Sequence, residues 1–89
     1  MGKATTADDE LRALLELLGE VDEDRDFDPG VRFTAGAVVL RRRDGGQVPA
    51  TFGTLDQLAQ LRGRGHAAEI GPGVFRITAA GRQALRAAG

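Results

Sequence analysis

Few side chains in this sequence can do chemistry. There is one histidine, His66, and there is no cysteine, serine, tyrosine or tryptophan, so threonine is the only hydroxyl nucleophile left. Cysteine-based zinc sites cannot form, and one imidazole cannot make a multi-histidine centre. His66 follows Arg64 and Gly65 and has no base or ligand pattern around it, so it reads as a structural or surface residue. Asp22, Asp24 and Asp26 have the alternate spacing of a calcium loop. In that register Phe27 stands where the loop needs glycine and Phe33 where it needs glutamate, and starting at Asp24 puts Pro29 and Ala35 there instead. A solvated acidic loop is the reading that survives. No metal, no cofactor and no enzymatic activity are expected.

What remains is the chemistry of arginine. Eleven of the twelve cations are Arg, and the net charge of −1 hides an uneven distribution. Residues 1–30 carry ten acids and three cations, a net of −7; residues 31–89 carry nine arginines and three acids, a net of +6. Such asymmetry points to nucleic-acid contact or to an acidic segment with a partner. Arg41, Arg42, Arg43, Arg62, Arg64 and Arg76 are the candidates for phosphate, with Gln57 and Gln60 as base readers. The partner expected on this reading is double-stranded DNA. Taken singly, each arginine also reads as a solvated charge, and a GC-rich genome accounts for Arg over Lys but not for clustering. Arg62-Gly63-Arg64 resembles the core of AT-hook peptides, with Gly65 in place of their proline. The run from Gly63 to Ala68 has the shape of a dinucleotide-binding GxGxxA, but it follows a helical pattern where that motif needs a strand.

The elements that must position these residues are short. At 89 residues one domain is expected, burying only about 60–65% of the unfolded chain's surface. Residues 1–5 read as a disordered tail and 6–89 as the domain. Thr6 or Asp8 can cap a first helix, in which Leu11, Leu14, Leu15 and Leu18 recur at helical spacing and Gly19 offers a stop. Residues 22–30 form a charged turn segment, and Val31-Arg32-Phe33 alternates as a strand. Thr34 then caps an expected second helix, with Ala35, Val38 and Val39 inward and Arg41–Arg43 in its last turn. The rival assignment is a strand over 38–43 that turns at Asp44-Gly45-Gly46 into Gln47-Val48. Thr54 caps a third helix carrying Leu55, Leu58 and Leu61. His66–Ile70 and Val74–Ile77 form a hairpin around Gly71-Pro72-Gly73, with Phe75 and Ile77 inward and Arg76 outward. Thr78 caps a last helix bearing Ala80, Ala84 and Leu85. Setting 11–41 on 55–86 pairs Leu11 with Leu55, Pro29 with Pro72 and Thr34 with Thr78, which leaves open a duplicated helix–hairpin–helix unit.

From Leu55 onward the order is helix, glycine turn, hairpin, then Phe75-Arg76-Ile77-Thr78-Ala79-Ala80-Gly81-Arg82-Gln83-Ala84-Leu85. This passage resembles the end of winged helix-turn-helix transcription regulators of the multiple-antibiotic-resistance and phenolic-acid-repressor types, over residues 54–86. The resemblance implies an α+β winged-helix-like domain of about four short helices with a C-terminal β-hairpin wing. It also implies that Thr54, Gln57, Gln60 and Arg64 would face the major groove and that Pro72 and Arg76 would lie on the wing. Ten residues, 44–53, separate the expected second and third helices, where a helix-turn-helix needs three or four. Residues 34–42 also resemble the opening strand of Nudix hydrolases, whose glutamate-rich catalytic box is absent downstream.

A bacterial, cytoplasmic, DNA-binding regulatory module is therefore the first expectation. The start of the chain fits the loose myristoylation pattern, but no stretch is long and apolar enough for a membrane span and no signal peptide is evident, so no membrane partner is expected. The alternative is a protein-interaction or dimerisation module, such as an adaptor, phage or assembly protein, that uses Leu11, Leu14, Leu15 and Leu18 of the acidic first helix. On that reading the acidic third could dock on the basic remainder, in the same chain or in a second copy.

Overall fold

The computed structural model describes residues 7–88; the expected tail at 1–5 and the Thr6 cap lie outside them. Helix α1 spans Ala7–Glu23, with Asp8, Asp9 and Glu10 in the first turn, where the helix dipole favours negative charge. Four of its five leucines, Leu11, Leu14, Leu15 and Leu18, are buried, each contributing about 1.5–3 kcal/mol, while Leu17 is partly buried. The helix does not stop at Gly19. A Cβ there would lie 3.3 Å from Leu85 Cδ1 and 3.5 Å from Ile77 Cδ1, so this glycine serves close packing within the helix, not termination.

Strand β1 (Val31–Thr34) is followed directly by β2 (Ala37–Arg41), which corrects the expected second helix at 34–43. The two central residues of the connection, Ala35 and Gly36, have φ of 52° and 78°, the left-handed pair of a type I′ hairpin turn. A Cβ on Gly36 would meet nothing within 4 Å, so glycine is there for its φ and not for space. Val38, Val39 and Leu40 favour the strand, and pairing on both sides satisfies its backbone. The chain then turns through Asp44-Gly45-Gly46, where Gly46 N–H donates to Asp44 Oδ1 at 2.9 Å, into β3 (Gln47–Pro49).

Helix α2 (Leu55–Gly63) begins at the expected cap. Gln57 N–H donates to Thr54 Oγ1 and Thr54 N–H donates to Gln57 Oε1, both at 3.1 Å, a reciprocal capping box. Strands β4 (Ala67–Gly71) and β5 (Val74–Ile77) form the expected hairpin, with Phe75 and Ile77 buried and Arg76 exposed. Thr78 accepts from Gly81 N–H at 3.0 Å and so caps α3 (Ala79–Ala88), on which Ala84 and Leu85 pack against the core while Ala80 is exposed.

The strands make one antiparallel sheet in the order β3-β2-β1-β5-β4. Among the described residues, three helices and this five-stranded sheet replace the expected four helices and C-terminal wing. The β4–β5 hairpin does not project: Val31 pairs with Phe75 and Arg32 with Val74, which builds the hairpin into the sheet beside β1. The duplication fails for the same reason, because 37–41 is strand β2 whereas the matched stretch lies in α3. The helical leucines join Val31, Val38, Leu40, Phe75 and Ile77 in one core on a single sheet face. Val39 points the other way, lies outside that core, and is still only 8% exposed, flanked across the sheet by Arg32 and Pro49. Among the described residues no helix is long and apolar enough to cross a membrane.

Candidate interaction surfaces

The candidate phosphate-binding arginines come to rest in different places. Arg41–Arg43 end β2 and enter its turn, whereas Arg62 and Arg64 close α2 before β4. Strands β2 and β4 are three strand spacings apart, about 14 Å across the sheet. Arg76 lies on β5 between them.

Most of these arginines meet a carboxylate of their own chain. Arg41 Nε lies 3.8 Å from Asp28 Oδ2, Arg62 Nη1 donates to Glu69 Oε1 at 2.7 Å, and Arg64 Nη2 donates to Asp8 Oδ1 at 3.4 Å. Arg76 Nε donates to Asp22 Oδ1 at 2.5 Å. Arg82 donates to Asp22 through Nη2 and to Glu23 Oε2 through Nη1, the latter at 3.0 Å. The segment before β1 runs antiparallel to Arg41–Arg43: Asp28 N–H donates to the Arg41 carbonyl, Arg43 N–H to the Asp26 carbonyl, and Phe27 bridges Arg42. Arg42 stacks over the Phe27 ring at 5.4 Å, and Arg43 Nε donates to the Phe27 carbonyl at 3.2 Å. The acidic third thus lies along the basic remainder within one chain.

These contacts are unequal. Arg41 with Asp28 and Arg64 with Asp8 are exposed pairs, worth about 0–1 kcal/mol. The Asp22 side chain keeps only 3% of its surface although its backbone is partly open, and it has two guanidiniums on it. These two contacts clamp the end of α1 to β5 and α3. The acids of the calcium-like spacing do not converge: Asp24 Oδ1 accepts from Asp26 N–H at 2.9 Å while Asp22 faces the arginines. Among the described residues no three metal-ligating side chains come together.

The two glutamines read as base contacts are also engaged. Gln57 completes the cap of α2 and donates through Nε2 to Glu10 Oε1 at 2.9 Å; Gln60 Nε2 donates to Asp56 Oδ2 at 2.9 Å. Leu11, Leu14, Leu15 and Leu18, read as an interface, lie in the chain's own core. His66 supplies backbone contacts: its carbonyl accepts from Thr78 N–H at 3.0 Å and would lie 2.3 Å from a Cβ on Gly81.

One surface feature was missed by sequence reasoning. The first turns of α1 and the entry to α2 border a groove of about 390 Å³, with Glu10 and Ala13 on one wall and Phe52, Gly53 and Gln57 on the other. Its surface is mainly apolar. Phe52 is 43% exposed, and Leu55, one residue beyond the groove's Thr54, is 47% exposed. Gly53 fixes the wall: its φ is +107°, and a Cβ would lie 2.9 Å from Val38 Cγ2 and 3.2 Å from Leu14 Cδ1. The available signal was an aromatic residue, Phe52, standing alone in a loop of small residues. No protein-family model matches this chain, and no curated protein or solved structure matches it.

Proposed function

We propose that this chain is a non-enzymatic module that docks on another protein. The observation that carries the reading is the intramolecular pairing of charge: the acids of residues 1–30 lie against Arg41, Arg64, Arg76 and Arg82. A phosphate gains less from a guanidinium that already faces a carboxylate, as Arg62, Arg64 and Arg76 do, and a net charge of −1 gives no overall excess of positive charge to draw in DNA. The helix expected ahead of α2, which a helix-turn-helix needs, is a strand. Exposed apolar surface at Phe52 and Leu55 is instead the kind of anchor that protein partners use.

Two parallel experiments test this. Selection from a display library of short random peptides against the folded protein is expected to return a shared motif that binds one-to-one. Titration of a labelled duplex at about 50 mM salt is expected to show no binding up to about 100 μM protein, the weak end of non-specific DNA affinity. No peptide motif, together with duplex binding that falls steeply with salt, would overturn the docking reading in favour of a DNA-binding module.

A further inference from the structure

We infer that the groove between the start of α1 and residues 52–57 takes a basic–apolar segment of the partner, with an apolar side chain on Phe52 and arginine or lysine beside Glu10. This inference rests on the docking reading and names the site and the chemistry of what fills it.

The apolar half of the argument is exposure. Among the described residues three large hydrophobic side chains are exposed; one of them, Phe52, lines this groove, and another, Leu55, follows the groove's Thr54 in the chain. Gly53 brings the loop down onto Val38 and Leu14, so the wall carrying Phe52 is anchored in the core and presented without support from a mobile tip. A preformed apolar wall binds with little ordering cost.

The charged half is how Glu10 and Asp56 are held. Outside the groove lining some acids, Asp8, Asp22, Asp28 and Glu69 among them, have an arginine within 4.0 Å. At the groove Glu10 is held by the neutral amide of Gln57, and Asp56, next to Leu55, by the neutral amide of Gln60. An amide orients a carboxylate but leaves its charge in place. Glu10 is therefore a carboxylate held in place beside an apolar groove, complementary to a cation flanking an apolar side chain. Acidic segments such as a DNA mimic, or a phosphate, would meet repulsion there.

The probe is the acetylated, amidated hexapeptide Ala-Arg-Leu-Leu-Arg-Ala, with control peptides in which both leucines are serine or both arginines glutamate. Titration into the labelled protein is followed by backbone amide shifts. The expected result is saturable perturbation confined to Ala13, Phe52, Gly53 and Gln57, with both controls at least about tenfold weaker. Phe52→Ala should weaken binding about tenfold without unfolding an exposed site, and Glu10→Gln, which keeps a hydrogen-bonding side chain and removes only charge, should weaken it and flatten its salt dependence. Controls that bind as well as the parent, or perturbations centred elsewhere, would overturn the inference. A library motif of another chemistry, or one mapping to another face, would also overturn it and leave the docking reading standing. Loss of both the peptide and the library motif, with duplex binding gained, would remove the two together.

Discussion

The two ends of α1 solve the same electrostatic problem in opposite ways. At its C-terminal end Asp22 is buried to 3% of its side-chain surface and gripped by Arg76 and Arg82, so negative charge is cancelled and the helix is tied to β5 and α3. At its N-terminal end Asp8 meets Arg64 only in an exposed pair, and Glu10 is held by an amide beside exposed apolar surface. A buried carboxylate under two guanidiniums closes a surface, whereas an exposed one held by an amide does not. On the proposed docking reading, one helix carries a structural end and a recognition end.

The largest break in that contrast is Asp22→Ala. Removing the carboxylate leaves two half-exposed guanidiniums facing each other, and about 3 kcal/mol of stability should be lost in urea denaturation, the low end for a buried pair because the arginines retain water. Next comes Gly53→Ala at the groove. The strained φ of +107° and the 2.9 Å approach to Val38 Cγ2 should together cost about 2 kcal/mol, and a smaller loss would mean that the groove wall is not anchored in the core. Thr54→Ala removes the cap of α2 and should cost about 1 kcal/mol, measurable as a shifted midpoint with an unchanged slope. Arg64→Ala breaks an exposed pair and should change stability by less than about 1 kcal/mol. A larger loss there would place a structural clamp at the end of α1 that is described here as open.

The elements legible in the sequence were those whose signals are local. The leucine spacing of α1, the Thr54 cap, the hairpin around Gly71–Gly73 and the Thr78 cap each depend on residues a few positions apart, and each is present. Over 34–43 the rival strand forms, turning at Asp44-Gly45-Gly46 into β3; the helix is favoured in sequence because the hairpin turn is Ala35-Gly36, without the Asn-Gly or Asp-Gly signature, and three arginines at the end also suit a helix terminus. The pairing of Val31 with Phe75 has no local signal at all, and it is what converts an expected wing into one side of a five-stranded sheet. The charge split at residue 30 was plain in the sequence; its resolution was not, since Arg76 and Asp22 stand 54 residues apart. The groove arises only when α1 and the loop at Phe52 meet.

The most direct test of a closed end and an open end is to remove one charge from each without changing shape. Urea denaturation of Asp22→Asn and Glu10→Gln, side by side, is predicted to show a loss of about 2 kcal/mol for the first and a change within about 0.5 kcal/mol for the second. Equal losses would contradict the account, because they would make Glu10 as much a structural clamp as Asp22.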